Sequence, residues 1–579
     1  MTRQFLPFVF SSLWVLFAAS QDLAQDPTQL PAPRIITCGW NAPTASQFAR
    51  DIDQMPGDLP LTGCVMTLHA DSGNPNPLAT AHSRDDWSRL NVQRSIDAVT
   101  AATKQQMADN YLLLKANPGD IDWLDDDGWQ IISEHYRIAA RLARQAGLKG
   151  LLFDAEPYTK PFRQFHYTRQ PGARKHGFDE YQSAARRRGR QVMQAIADEF
   201  PDAELYSYFL LSYLIDDHPH RGPSPVGRSD ANWCLAAHSY GLLPAFVDGW
   251  LDVIPRTMTI IDGCENAYWF ETESQFADCA EGVRSRGRQL IATENQPKYD
   301  RQIRVAFPIY LDAIHPTLAG TYTLQPDRRD RLELLRRNLS AALQHSDSLV
   351  WLYGEHGRWW PPATDQALWH GKDTFPHWEE QLPGISQVIR DVVAATRSPQ
   401  PDAVTTTDNS ASPKPTSLKP SAADPTPASV SAEDDQLHAT ELDVQPVWES
   451  WRDNDSGAVV LQDGQVTITG SLDGAGLAML PVEPNTRYMI QVQVVQQGRG
   501  LTCLSLRWRT SDGKWASTKH YDVVAYPPDG DPTQPRTITA VVLSPPTPHQ
   551  MVAICSASQQ LSDDDAALFG NLMIGQVEE

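Results

Sequence analysis

The sequence lacks the short motifs that would assign a function directly. It has no G-x-G-x-x-G or P-loop motif, no H-E-x-x-H zinc motif and no C-x-x-C pair. Basic residues are scarce: 49 Lys and Arg stand against 71 Asp and Glu, a net charge of −22 at pH 7. Because phosphate backbones repel an acidic chain that has no basic block, we do not expect nucleic-acid binding. Beyond the N-terminus no apolar run is long enough to span a bilayer.

Cysteine is also sparse, with 7 residues in 579 and no spacing typical of a metal site. The odd number means that at least one thiol stays free or pairs with another chain. Cys503 and Cys555 are the two cysteines of the C-terminal part and are therefore candidates for a disulfide.

The N-terminus has the pattern of a secretory signal peptide. Arg3 supplies a positive charge, and the stretch from Phe5 to Ala19 is uncharged and mostly apolar. Small residues around Ser20 predict a signal peptide over 1–20, with cleavage as late as Ala24. We therefore expect a secreted or periplasmic protein with no membrane contact after cleavage; an uncleaved anchor is the alternative.

A change in composition divides the remaining chain. Residues 398–439 are dominated by Pro, Ser, Thr and Ala, which cannot build a core and are typical of a linker. This predicts a large domain over 30–396 and a small one over 440–579.

The large domain alternates short apolar runs with amphipathic helical stretches such as Trp129–Ala146, Tyr181–Glu199, Glu273–Arg286 and Arg329–His345. The predicted strands are, in order, Arg34–Trp40, Gly63–Ala70, Asn110–Asn117, Lys149–Asp154, Glu204–Tyr213, Thr257–Asp262, Ile303–Leu311 and Ser348–Tyr353. Eight strands that alternate with helices predict an α/β fold, a (β/α)8 TIM barrel.

The small domain has no helical period and shows alternating apolar runs between turns. These runs are Gln465–Gly470, Tyr488–Val495, Leu501–Arg509, Arg536–Leu543 and Met551–Ser556. They predict an all-β, jelly-roll-like sandwich.

Three predicted strands place a glutamate at or just past their C-terminal ends, where barrel enzymes hold their active sites. Strand four ends in Asp154 and Glu156, strand six is followed by Glu265, and strand eight by Glu355. Two such carboxyl groups are what glycoside hydrolysis needs, one as acid and one as nucleophile or base. We expect Glu156 to be the acid, Glu265 or Glu355 its partner, and Asp154 the group that orients Glu156.

The chain holds 17 Trp, and flat aromatic faces suit stacking on sugar rings. Residues near the predicted strand ends complete a candidate substrate-binding set: Trp40, His69, Lys115, Tyr158, Tyr213, Tyr268, Trp269, Tyr310, Trp351, Tyr353 and Trp359. Lys115 could equally pair with the acids of strand four. The pattern implies no cofactor and no metal; His218-Pro219-His220 is interpreted as a surface loop.

These residues resemble a secreted (β/α)8-barrel glycoside hydrolase with a carbohydrate-binding-like sandwich. Asp154-Ala155-Glu156 is similar to the D-x-E ending of chitinase-like hydrolases, where the Glu is the acid and a substrate acetamido group the nucleophile. Ala155-Glu156-Pro157 resembles the N-E-P acid/base of the large retaining clan, whose nucleophile follows strand seven; Asp312 stands there. Phe153-Asp154 resembles the nucleophile of the α-galactosidase-like clan, which would give the acid/base role to Asp262 or Glu265.

The predicted sandwich resembles sugar-binding jelly-roll modules. Trp448, Trp451 and Trp515 are candidates for a sugar platform, and Trp508 is expected in the core. Asp563-Asp564-Asp565 is a candidate calcium turn, with a solvated acidic turn as the alternative.

Two functions follow from these expectations. The first is a hydrolase that cleaves a poly- or oligosaccharide, and the second is a glycan-binding or surface protein on a barrel scaffold. Divergent glutamates, or glutamates paired with arginine, would favour the second.

Overall fold

A computed structural model gives the structure of the chain. It describes residues 33–577 except 56–58, 75, 103–106, 157, 160–163, 219–220, 317–329, 362–374, 398–438, 443–445, 453–456, 516–522 and 546–549. The predicted signal peptide and nearly all of the predicted linker lie outside the described residues.

Short parallel strands form a nearly closed barrel. They are β1 (Arg34–Gly39), β2 (Gly63–Met66), β3 (Tyr111–Lys115), β4 (Gly150–Asp154), β5 (Glu204–Ser207), β6 (Thr259–Asp262), β7 (Ile303–Val305), β8 (Phe307–Tyr310) and β9 (Leu349–Gly354). Pairing follows chain order from β1 to β7, and β9 pairs with both β1 and β8. Only Ala306 separates β7 from β8, so the predicted seventh strand changes partner there. The predicted TIM-like barrel is confirmed.

Helices cover the outside of this sheet. They are α1 (Ala45–Asp51), α2 (Gln93–Ala101), α3 (Asp126–Gln145), α4 (Phe178–Glu199), α5 (Ala231–Ala237), α6 (Leu243–Val253), α7 (Glu273–Gly282), α8 (Gln296–Gln302), α9 (Arg331–His345), α10 (Trp378–Gln381) and α11 (Ile385–Arg397). The sequence dictates α3 clearly: Asp125 caps the backbone N–H of Gly128, and Trp129, Ile132 and Tyr136 bury one face at 3–4 spacing. No helix in the described ranges is long and apolar enough to cross a membrane.

The predicted fifth strand was too long, because β5 ends at Ser207 and Leu211–Tyr213 forms a 3₁₀ turn. Asp262 causes this break. Its carboxylate accepts hydrogen bonds from the backbone N–H groups of Leu210 and Ser212, at 3.0 and 2.9 Å, and from the Ser212 hydroxyl at 2.6 Å. The apolar run continues past the strand because the turn is itself buried.

The C-terminal part is a sandwich of two antiparallel sheets. Its strands are β10 (Ala439–Glu441), β11 (Val447–Arg452), β12 (Ala458–Gln462), β13 (Gln465–Thr469), β14 (Asp473–Pro481), β15 (Arg487–Gln497), β16 (Leu501–Arg509), β17 (Val523–Ala525), β18 (Arg536–Leu543), β19 (Gln550–Ser558) and β20 (Ala566–Val577). One sheet has the order β12-β13-β20-β15-β18, with β10 on β20, and the other β11-β14-β19-β16-β17. Alternating residues such as Ile490, Val492 and Val494 fill the core between them.

The suggested pairing of Cys503 with Cys555 is wrong. Leu504, not Cys503, lies opposite Cys555, so the two side chains point to opposite faces of their sheet. Cys555 is in the core, whereas Cys503 contacts the Ser556 hydroxyl at 2.8 Å on the outer face. The chain's seven cysteines, all of them described, are free thiols.

The tryptophans of the sandwich do not form one platform. Trp508 is 1% exposed, which confirms its core position, and Trp448 packs against that core. Trp451 and Trp515 are 50% and 46% exposed. Trp451 is three positions after Trp448, so the two side chains lie on opposite faces of β11 and only Trp451 faces outward.

Asp565 organises the turn that was a calcium candidate. Its carboxylate accepts hydrogen bonds from the backbone N–H groups of Arg499, Leu561 and Ser562 at 2.7–2.8 Å. These bonds give Asp565 a structural role in the turn.

Candidate active site

Asp154 ends β4 and is fully buried. Its Oδ1 accepts the backbone N–H of Glu156 at 3.1 Å, and its Oδ2 accepts the Tyr158 hydroxyl at 2.8 Å. The Lys115 ammonium lies 3.7 Å from Oδ2. Burial raises the pKa of Asp154, and Lys115 opposes this rise. Asp154 thus fixes the backbone from which the Glu156 side chain extends.

Glu156 lies two residues beyond the end of β4, and its pKa is raised. Burial, together with the negative charges of Glu265 and Asp154, raises its pKa to about 8. The Tyr240 hydroxyl donates a hydrogen bond to its Oε1 at 3.4 Å. A carboxyl group with a raised pKa keeps its proton to higher pH, which is the property that a general acid needs.

Glu265 begins the turn after β6. Cys264 adopts a left-handed conformation with φ 51°, and the Glu265 N–H donates to the Tyr208 carbonyl at 3.0 Å. Burial raises the pKa of Glu265 to about 7, while a hydrogen bond from the Tyr213 hydroxyl to Oε2 lowers it. Asp262, the other acid suggested for strand six, is hydrogen-bonded within the turn after β5, so Glu265 is the better candidate for the acid of this strand end.

A cluster of aromatic rings lies between Glu156 and Glu265 and contacts both. Tyr213 stacks on Phe209 at 3.7 Å between centroids, and Tyr240 packs edge-on against both rings at 4.8 and 5.6 Å. Tyr213 then bonds Glu265, and Tyr240 bonds Glu156. One rigid cluster therefore sets the positions of both carboxyl groups.

Glu355 is held separately, by Asp312. The buried carboxylate of Asp312 accepts the backbone N–H groups of Glu355 at 2.7 Å and of His356 at 3.1 Å, and contacts His356 Nδ1 at 2.6 Å. Burial and the charge of Asp312 raise the pKa of Glu355 to about 7. The charge of Asp312 raises the pKa of Glu355, whereas the charge of Glu265 raises the pKa of Glu156.

Several predicted aromatic residues pack together beside Glu265. Tyr268 stacks on Tyr310 at 4.5 Å and on Tyr353 at 5.4 Å, and Trp269 meets Tyr310 edge-on at 5.4 Å. Trp351 is fully buried beneath them and donates its indole N–H to the Gly263 carbonyl at 2.9 Å. It therefore supports this aromatic wall and is not a sugar platform.

Two of the remaining predicted substrate residues lie beside Asp154, and two others pack against different neighbours. Lys115 and Tyr158 join the site: the Lys115 ammonium lies 4.3 Å from the centre of the Tyr158 ring, which is 58% exposed. Trp40 packs at 5.8 Å from the ring of His356, and the backbone of His69 is bonded to Ser95.

Trp359 does not belong to the site. It is 5% exposed and packs at 5.8 Å against His377, so its assignment to substrate binding was wrong.

Sequence reasoning missed Tyr240 and Arg221. Tyr240 precedes α6, and Arg221 lies in a turn closed by mutual backbone bonds between His218 and Gly222 at 3.0 and 2.9 Å. The Arg221 guanidinium lies 3.7 Å from the centre of the Tyr213 ring. Neither residue carries a periodic or motif signal, because both lie in irregular segments.

The sandwich reaches this turn. The Tyr526 hydroxyl donates to the His218 carbonyl at 2.8 Å, and the Asp529 carboxylate accepts the N–H and hydroxyl of Ser229 at 3.1 and 3.0 Å. His218, expected in a surface loop, is therefore a contact between the two parts of the chain.

The chain is similar to several solved structures, at low sequence identity. No family model and no curated protein matches the chain. The solved structure of GH5_18 from Streptomyces cattleya in complex with GlcNAc is 11% identical over 64% of this chain and 83% of that one, with a TM-score of 0.34. A structure titled "CBM4 structure and function" is 11% identical over 22% of this chain and 94% of that one, with a TM-score of 0.16. The bacteriophage CBA120 tailspike protein 4 is 12% identical over 24% of this chain, with a TM-score of 0.17, and the match spans only 19% of the tailspike domain.

Proposed function

We propose that the protein is a glycoside hydrolase in which Glu156 is the proton donor and Glu265 is the nucleophile or base. The observation that carries the proposal is a pair of half-buried glutamates with raised pKa values, in which the charge of Glu265 raises the pKa of Glu156 and each carboxyl group is bonded by a tyrosine of one cluster. Glycosidic cleavage requires one protonated and one ionised carboxyl group at the same pH. Because two neighbouring anions repel, the ionisation of one keeps the proton on the other.

Differences in hydrogen bonding support this division of roles. Tyr213 donates to Glu265 more closely than Tyr240 does to Glu156, so the anion is better stabilised on Glu265. The charge of Arg221 also lowers the pKa of Glu265. The proposal therefore gives the negative charge to Glu265 and leaves the proton for the leaving oxygen on Glu156.

Asp154 and Glu355 take supporting roles in this proposal. Asp154 is already bonded to the Glu156 backbone, Tyr158 and Lys115, which suits an orienting group. Glu355 is the alternative partner; it follows β9, where Asp312 holds its backbone N–H.

The alternative of a silent binding protein predicts glutamates neutralised by arginine. Among the described ion pairs, none involves Glu156, Glu265 or Glu355. Holding three half-buried acids without a direct ion pair costs stability, and a catalytic role explains why that cost is tolerated.

The test is release of reducing ends from a panel of poly- and oligosaccharides, neutral and acidic. We expect the wild type to act on at least one, and Glu156→Gln and Glu265→Gln each to lose about 10²–10⁴-fold in kcat. Glu134→Gln, on the exposed face of α3, is the matched control and should retain activity. Release undiminished in Glu156→Gln contradicts the proposal.

Two further assignments belong to the same proposal. The exposed Trp451 and Trp515 suit glycan binding by the sandwich, which loss of pull-down on the substrate polysaccharide in Trp451→Ala would test. The N-terminal pattern of Arg3 and the apolar stretch to Ala19 supports export, which N-terminal sequencing of the mature protein would test.

A further inference from the structure

Arg221 carries a positive charge near Glu265 that no carboxylate of the described residues meets in a direct ion pair. Its guanidinium lies over the ring of Tyr213, whose hydroxyl bonds Glu265. Arg221 lowers the pKa of Glu265 through space, yet it forms no ion pair within 4 Å among the described residues. Its Nε is buried and meets no hydrogen-bond partner in the described part of the chain.

The acids nearest to Arg221 in sequence are directed elsewhere. Asp216 pairs with Arg286 at 2.9 Å, and the Oδ1 of Asp217 accepts the backbone N–H of Ser224 at 2.7 Å. The guanidinium has five donors in a planar fork that matches a carboxylate. Its donors therefore remain available to a ligand.

Stacking on a ring does not by itself account for this arrangement. Two other arginines in the described chain lie over aromatic rings, and both have additional partners. Arg499, over Tyr167, donates to the Tyr167 hydroxyl at 2.6 Å and to the Ala173 carbonyl at 3.2 Å. Arg509, over Trp515, lies 3.7 Å from the Glu449 carboxylate. Arg221 lacks the anchor that each of these has.

Hydrogen bonds hold the described backbone beside Arg221. The Arg221 carbonyl accepts the backbone N–H of Ser239 at 2.7 Å, the Gly222 N–H donates to the His218 carbonyl at 2.9 Å, and the Tyr526 hydroxyl donates to the same carbonyl. A cation presented on a fixed backbone loses little freedom when it binds a ligand, which favours recognition.

We propose that Arg221 binds the carboxylate of a uronic acid residue, so that the substrate is an acidic glycan. This inference rests on the proposed function, because it names the substrate class of the same site. A bidentate carboxylate contact would satisfy Arg221 and place a uronic acid ring next to Glu265.

The test measures binding without turnover. Glu156→Gln protein is titrated by calorimetry with oligosaccharides of galacturonic, glucuronic or mannuronic acid, with their carboxyl-reduced neutral counterparts, and with a sulfated oligosaccharide. We expect at least one uronic acid oligosaccharide to bind at least tenfold more tightly than its reduced counterpart. Adding Arg221→Gln should abolish this preference, Arg221→Lys should restore part of it, and the surface control Arg288→Gln should leave it intact.

Equal binding of acidic and reduced oligosaccharides, or a stronger preference for the sulfated one, overturns the proposal. So does a carboxylate preference that persists in Arg221→Gln, with folding checked by thermal melting. If Arg221→Gln fails to fold, the binding of acidic and carboxyl-reduced oligosaccharides to the Glu156→Gln protein still tests the proposal. Uronate binding without cleavage by the wild type would overturn the hydrolase assignment alone, whereas cleavage of neutral glycans alone would overturn only the acidic substrate.

Discussion

The rings of Tyr213 and Tyr240 pack edge to face with 5.6 Å between their centroids, and their hydroxyl groups end on different carboxylates. Tyr213 bonds Glu265, and Tyr240 bonds Glu156. The pair thus gives two neighbouring glutamates unequal hydrogen bonding, which is what separates an acid from a base.

Removing the Tyr213 hydroxyl should therefore shift the titration of Glu265. Since its hydrogen bond lowers the pKa of Glu265, Tyr213→Phe should raise that pKa. If Glu265 must be ionised, the acidic limb of the kcat/KM profile moves to higher pH, by about one unit for each 1.4 kcal/mol of hydrogen-bond free energy lost. Tyr488→Phe, which changes a tyrosine in the sandwich, is the control. An acidic limb that stays in place would show that Glu265 is not the titrating base.

The burial of Glu156 should make stability depend on pH. Its folded pKa of about 8 lies above the ordinary value of 4.5, so the native state holds the proton more tightly than the unfolded state does. The stabilisation is complete below the ordinary value and is lost as pH rises towards 8. Glu156→Gln, which cannot ionise, should exceed the wild type in unfolding free energy at pH 8 by at least about 1 kcal/mol and match it near pH 4.

Thermal melts of both proteins across pH 4–9 check this, with Glu134→Gln as the exposed control. A gain of the same size at every pH would mean that packing, not ionisation, separates the two proteins.

The sandwich should help to order the active site through Tyr526. Tyr526→Phe removes the bond to the His218 carbonyl, so backbone amides near Gly222 should exchange faster with solvent. Hydrogen exchange followed by mass spectrometry measures this directly and requires no substrate. Tyr488→Phe loses a hydrogen bond inside the sandwich and should leave that segment unchanged. Equal protection in Tyr526→Phe would make the contact between the two parts irrelevant to the site.

Glu265 and Glu355 can be separated by chemical rescue. In a retaining mechanism, azide replaces a missing nucleophile and forms a glycosyl azide with inverted configuration relative to the normal product. We expect azide to rescue Glu265→Ala and not Glu355→Ala, with the products identified by NMR. Rescue of Glu355→Ala alone would transfer the partner role to Glu355.

The barrel could be predicted because its strands and helices carry regular periods. The acids at the strand ends could be predicted because parallel strands bring their C-terminal ends to one face. The orientation of Glu156 could not be predicted from strand alternation. Asp154 bonds the Glu156 backbone just after β4 ends, so a turn orients Glu156.

The partners of these acids could not be predicted. Tyr240 and Arg221 come from irregular segments, and their proximity to Glu156 and Glu265 depends on long-range packing that no local pattern records. Trp351 was misassigned for a related reason. An aromatic residue at a strand end can face the cleft or lie under it, and its bond to Gly263 places it underneath.

The most direct test of the central claim is reducing-end release by the wild type, Glu156→Gln and Glu265→Gln on one glycan panel at pH 7. We expect release by the wild type from at least one glycan and a loss of about 10²–10⁴-fold in each variant. Failure of the wild type to cleave any glycosidic bond in the panel, or full activity of either variant, would contradict it.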